Sequence, residues 1–207
     1  MTLLDPSARQ RIEAAIQEVE QHTSSEIVVA TVPASDSYAE IVLGYGLAVA
    51  LIAAAIAHFI WLHAPVMWLL WLQAGCVLAC VLAFRSGFLL RLLTPAQRLE
   101  QSVQRRAREA FLEHGLFATR ERTGVLILLS ELEHRVVILG DVGIDKHVQA
   151  AGWQVHVQRM IAGIRAGRAA DGICEVIRDI GVVLATHLPQ RTDDTNELPN
   201  RVRDGND

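Results

Sequence analysis

Between Ile41 and Phe84 the chain has no Asp, Glu, Lys or Arg, so 44 consecutive residues carry no formal charge. That absence excludes an ordinary solvated segment. Proline is equally sparse there, with Pro65 alone near the middle. A bilayer core of about 30 Å needs roughly 20 apolar residues per helix, so Ile41–Leu62 and Val66–Phe84 each suffice, with His63-Ala64-Pro65 as the turn. We read a membrane hairpin that enters and leaves the lipid bilayer on one side.

Other scarcities narrow the function. Of three cysteines, Cys76 and Cys80 fall in the second span and Cys174 on a later helix. This excludes a disulfide framework or a CxxC metal site and fits a reducing compartment. With a net charge of −4 and a pI near 6.1, no basic stripe stands out, so nucleic acid is not an expected partner. Gly140-Asp141-Val142-Gly143 lacks the long loop and Lys of a phosphate-binding P-loop. There is no HExxH, and His147 and His156 fall on different helical faces, which argues against zinc. Spans without Asp, Glu, Lys or Arg argue against a transport pathway. Met1–Ser25 is polar and helical rather than a basic head followed by an apolar run, so no signal peptide is expected and the first span would direct insertion.

Arginines gather just after the second span, at Arg85, Arg91, Arg98, Arg105, Arg106 and Arg108, whereas the short turn on the far side has none. By the positive-inside bias, both termini are expected in the cytoplasm of a bacterial cell, with the hairpin in its inner membrane. Trp61, Trp68 and Trp71 suit an interfacial belt. Small residues such as Gly46 and Ala53 in one span and Gly75 and Ala79 in the other favour close packing of the two helices, or packing on other membrane proteins.

The rest of the chain alternates between two periods. Asp5-Pro6 reads as an N-cap with proline in the first turn, and Ile12, Ile16 and Val19 recur at helical spacing. Ile27–Val32 is a β-branched run closed by Pro33, the pattern of a central strand covered on both faces. Thr94-Pro95 opens a second soluble helix along Leu99, Val103, Ala107 and Ala110, stopped at Gly115. Val125–Leu129 and Val136–Leu139 flank a polar turn and predict an antiparallel hairpin. Asp145–Ile164 and Ala169–His187 predict two more helices around Gly167, and the polar stretch from Pro189 predicts a disordered tail. A strand, a helix and another buried strand favour parallel pairing through a crossover. The expected organisation is 1–38 and 85–188 as two parts of one α/β domain, 39–84 as the inserted transmembrane hairpin, and 189–207 as the tail.

These motifs resemble the TPM domain. Ser24–Val29, closing in Val32-Pro33, looks like its first strand, and Thr123–Ser130 and His134–Asp141 look like its second and third. Trp153 resembles its following helix, and Gly172 near Ile173 its step into the last one. The resemblance implies a three-layer α/β/α sandwich, commonly tethered to a membrane. It also implies a link to phosphatase activity, divalent-ion binding or the maintenance of membrane complexes. The chain departs from the commoner family pattern in carrying its anchor inside the domain. It also has Gly140-Asp141-Val142-Gly143-Ile144-Asp145 where a Gly-x-Gly-Leu-Glu segment is usual.

Chemistry is expected beyond the strand ends. Asp141 and Asp145, with Gly143 letting the backbone bend between them, are candidate ligands for a hard cation such as calcium or magnesium. They equally suit a turn cap and a helix cap. If the third strand is antiparallel, Glu26 shares Asp141's edge and joins the candidate metal set. Arg122 and Thr123 are then candidate ligand-binding residues, with Arg120 beside them, because a phosphatase needs positive charge against the transferring group. The leading expectation is a membrane-anchored module that binds a ligand or partner and supports a membrane complex without catalysing a reaction. The alternative is a divalent-metal-dependent phosphatase.

Overall fold

The computed structural model describes residues 4–61, 65–145, 150–191 and 197–204. They form two compact units, Met1–Ser35 with Gln101–Asp207, and the intervening Asp36–Glu100.

The first unit is a mixed α/β fold. Its sheet has the order β3-β2-β1-β4, with β1 at Glu26–Val32, β2 at Gly124–Ser130, β3 at Arg135–Gly140 and β4 at Arg203–Asp204. β1 runs parallel to β2, from Glu26 opposite Gly124 to Val32 opposite Ser130. β3 returns antiparallel, as the short polar turn predicts. All seven residues of β1 and of β2 are buried. Successive strand side chains point to opposite faces, so an unbroken apolar run needs cover on both.

Both faces are covered. Ile27, Val29, Val125, Ile127 and Leu129 join Ile12, Ile16, Met160, Ile173 and Ile177, which come from three helices: α1 (Pro6–Glu20), α7 (Ala150–Arg165) and α8 (Ala169–His187). Val28, Ala30, Leu126 and Leu128 join Val103, Ala107 and Ala110 of α5 (Ala96–Glu113). Each aliphatic side chain moved fully out of water contributes about 1.5–3 kcal/mol, so these two clusters dominate the stability of the unit.

Local chemistry sets the helix ends. The Asp5 carboxylate accepts the Ala8 N–H at 2.6 Å while Pro6 occupies the first turn, as expected of an N-cap. That bond and the Ser7 hydroxyl hold the Asp5 carboxyl below its ordinary range. α8 packs closely on α1, because a Cβ on Gly181 would lie 2.5 Å from a Val19 methyl.

The helix expected from Asp145 is described from Ala150 onward as α7, with α6 at Val142–Asp145 before it, and residues 146–149 lie outside the described set. One expectation changes. The segment from Pro189 was expected to be disordered, but it supplies β4 as a parallel neighbour of β1. Val202 is buried there, and its N–H reaches Glu13 Oε1 at 3.1 Å. Sheet-edge hydrogen bonds organise this segment where its composition offers few apolar anchors.

The second unit holds α2 (Ala39–Ile60), α3 (Val66–Phe84) and the short α4 (Phe88–Leu93). At 1.5 Å per residue the first two are about 33 and 28 Å long, and both are apolar enough to cross a membrane. They pack on each other closely, since a Cβ on Gly46 would meet Val77 at 3.6 Å and Cys80 at 3.7 Å. Tyr45 stacks on Phe84 with ring centroids 5.9 Å apart. Their outward faces remain exposed: of 22 residues in α2 only Gly46 and Ala50 are buried, and of 19 in α3 only Phe84. Leu62, the end of the first expected span, and His63 and Ala64 of the expected turn lie outside the described residues.

Candidate functional site

The strand directions bring Glu26, Gly124 and Asp141 to one edge of the sheet. Asp141 extends the β3 ladder by donating its N–H to Gly124 O at 2.9 Å. Its carboxylate is buried and bound twice by Arg122, with Nε to Oδ2 at 2.6 Å and Nη2 to Oδ1 at 3.0 Å. Oδ1 also accepts the Val142 N–H at 2.7 Å at the start of α6. Asp141 is therefore both a cap and half of an ion pair, and that pair holds the Arg122 guanidinium charged above its ordinary range.

The backbone around this pair is tight. Arg122 lies in the left-handed region at φ 59°, and its carbonyl accepts the Gly143 N–H at 3.0 Å. A Cβ on Gly143 would come within 2.5 Å of the Glu121 and Arg122 carbonyl oxygens, so only glycine fits beneath this turn. The glycine between the two aspartates thus serves packing of the turn.

Thr123 donates its hydroxyl to Ser24 O at 3.0 Å and its N–H to Thr119 Oγ1 at 3.0 Å, so it ties the turn before β2 to the start of β1. Asp145 ends the described part of α6, and its side chain lies outside the described residues. Glu26 is buried, and its Oε1 accepts the Glu197 N–H at 2.9 Å. Glu197 in turn accepts the Arg120 N–H at 3.0 Å, so the C-terminal segment is strapped across this edge. Glu26 and Asp141 flank β2 from either side, which at about 4.8 Å per strand puts their backbones roughly 10 Å apart.

Glu26 has a companion that its sequence position does not reveal. Glu20, at the end of α1, accepts the Ile27 N–H at 3.1 Å and lines a cavity of about 210 Å³ together with Glu26. Gln17, Gln21, Thr23 and Ser25 complete much of that wall, making it rich in oxygen donors. Among the described residues no group of three or more His, Cys, Asp and Glu side chains is placed to hold a metal ion.

At the opposite edge the buried Glu133 carboxylate accepts the Ser35 N–H at 2.9 Å and the Ser130 hydroxyl, and the Ser35 and Ser130 hydroxyls lie 2.9 Å apart. This cluster pins the β2–β3 turn to the end of β1. Asp36, which follows β1 in sequence, belongs to the second unit, where Arg98 binds it at 3.3 Å and Glu40 at 2.7 Å.

The model of the TPM domain family matches residues 1–50, which include α1, β1 and the start of α2. No curated protein matches the chain. Among solved structures, the NMR structure of BA42 protein from the psychrophilic bacterium Bizionia argentinensis is similar to it, with a TM-score of 0.62 and 20% identity. That alignment covers 99% of this chain and 97% of BA42. The resemblance read from Ser24–Pro33 therefore stands: the chain matches the TPM domain over residues 1–50 and shares the fold of BA42 along nearly its whole length.

Proposed function

We propose that this chain is a membrane-anchored TPM-like protein whose α/β unit, an α/β/α sandwich, binds a ligand or partner and supports a membrane protein complex. The observation that carries this reading is the pair of long apolar helices inserted between β1 and the rest of the unit, with outward faces exposed along their length. Contiguous apolar surface of that extent needs cover, and a bilayer matches its length. The arginines after α3 orient the hairpin with both termini in the cytoplasm of a bacterial cell and the spans in its inner membrane. Reporter fusions after residue 207 and within residues 63–65 test this. A cytoplasmic signal at the first and an external one at the second are expected, and the reverse pattern rejects the orientation.

The second reading, a phosphatase dependent on calcium or magnesium, draws on the oxygen-rich wall around Glu20 and Glu26. It would recruit Glu26, Asp141 and Asp145 to the ion and Arg122 and Thr123 to the phosphoryl group. The fit is poor at Asp141, because both carboxylate oxygens are engaged by Arg122. Calorimetric titration of both ions into wild type, Glu26→Gln and Asp141→Ala, alongside a phosphomonoester assay, separates the readings. Turnover lost in the variants would establish the enzyme, and no turnover is expected.

A further inference from the structure

The two ends of the sheet carry cavities of opposite character. At the Glu26 end the cavity walls include, among the described residues, two glutamates and no Lys or Arg. At the other end a larger cavity, about 500 Å³, opens between the β2–β3 turn and the last turns of α7. Leu129 and Val136, cross-strand partners in the sheet, form its apolar floor, with Ile161 and Ile164 facing them from α7. Arg135 and Arg165 stand at its rim with His134, against a single carboxylate among the described residues, that of Glu131. A volume of this order suits a small organic ligand.

Both walls are held in place without a ligand. The turn carrying Arg135 is tied through Glu133 to Ser35 and Ser130, and Glu131 donates its N–H to Val32 O at 3.0 Å. The end of α7 is fixed against α8 because a Cβ on Gly163 would lie 2.9 Å from Gly172 Cα. A preformed apolar slot with two guanidinium groups at its mouth favours a ligand that is negative at one end and apolar at the other. A bare inorganic anion would leave the aliphatic floor unused, and a neutral apolar molecule would draw nothing from the charge at the mouth.

The geometry points to this cavity as a binding site for a small amphipathic anion, a carboxylate or phosphate ester with an apolar body. The anion head lies at Arg135 and Arg165, and the body lies against Leu129, Val136, Ile161 and Ile164. The assignment rests on the reading of the α/β unit as a binding module and is independent of how the hairpin sits in lipid. Two sources can present this chemistry, a soluble organic acid or an anionic lipid.

The test uses the full chain in phosphatidylcholine nanodiscs, titrated calorimetrically with 2-naphthoate and with neutral 2-naphthamide against empty discs. One saturable naphthoate site is expected, with the amide at least tenfold weaker. Arg165→Ala should weaken naphthoate at least tenfold, and since Arg165 is exposed its loss leaves the fold intact. Ile164→Trp should fill the slot and abolish binding. Equal affinity of wild type and Arg165→Ala for naphthoate, or no binding by wild type, overturns the assignment. Replacing part of the phosphatidylcholine with phosphatidylglycerol distinguishes the sources: loss of naphthoate binding names a lipid, and unchanged binding names a soluble acid. If naphthoate fails to bind while the chain still co-purifies with other membrane proteins, the cavity is rejected and the binding module stands.

Discussion

At the scale of single residues, the Arg122–Asp141 corner shows what a local sequence pattern conceals. A Gly between two Asp residues reads as an ion-binding bend, yet the ion pair spans 19 positions and depends on a left-handed Arg122. The two halves separate by mutation. Asp141→Asn keeps an acceptor for the Val142 N–H, whereas Asp141→Ala removes the cap, a loss of about 1 kcal/mol at such positions. Thermal unfolding in mild detergent should therefore rank wild type, then Asn, then Ala. Arg122→Gly should unfold a few degrees above Arg122→Ala, because both lose the pair but only glycine accepts the positive φ without strain.

His156 adds a pH dependence. Burial beside Trp153 lowers its pKa below the ordinary 6.5, outweighing the opposing pull of Asp179. A histidine depressed in the folded state takes up its proton first in the unfolded chain. Stability is therefore full above about pH 6.5 and falls as pH drops from there toward the folded value. Denaturation midpoints at pH 7.5 and 5.5 should differ less in His156→Gln than in wild type, and equal differences would remove His156 as a cause.

At the scale of elements, the helix–helix contacts turn on positions where a side chain has no room. Gly181→Ala would push α8 off Val19 of α1. Overpacking of this kind costs about 1–3 kcal/mol, measurable as a lower denaturation midpoint, and Val19→Ala in the same chain should recover part of it. Strands and helices of this unit were legible where burial imposed a period: Ile27–Val32 and Val125–Leu129 are β-branched or aliphatic without a break because both faces are covered. Ile173, Ile177 and Ile180 recur because α8 has one buried face. β4 was not legible, since two residues carry no period and Arg203 and Asp204 are held by backbone pairing. The site was less legible still. Glu26 and Asp141 do share an edge, as an antiparallel third strand requires, but Glu20 joins Glu26 only through the packing of α1 on the sheet. The Glu133 cluster arises from residues 95 and 98 positions apart.

At the scale of the whole molecule, the hairpin interrupts the α/β unit between its two central strands, so β1 and β2 pair in parallel across an insertion of two helices long and apolar enough to cross a membrane. Leu47 and Leu51 lie near the middle of α2 and are 58% and 64% exposed. If water covered them, arginine at these positions would improve solubility and leave the chain in the same fraction. In a bilayer centre each arginine opposes insertion by about 2.5–3.5 kcal/mol, roughly 60- to 300-fold in the insertion equilibrium. The double variant Leu47→Arg/Leu51→Arg should therefore leave the carbonate-resistant membrane fraction in which wild type remains. A matched pair at the exposed Phe59 and Trp61, near the expected interface, should shift it far less because those side chains can reach headgroups. The depth dependence carries the argument, since a water-exposed helix would respond alike at both pairs.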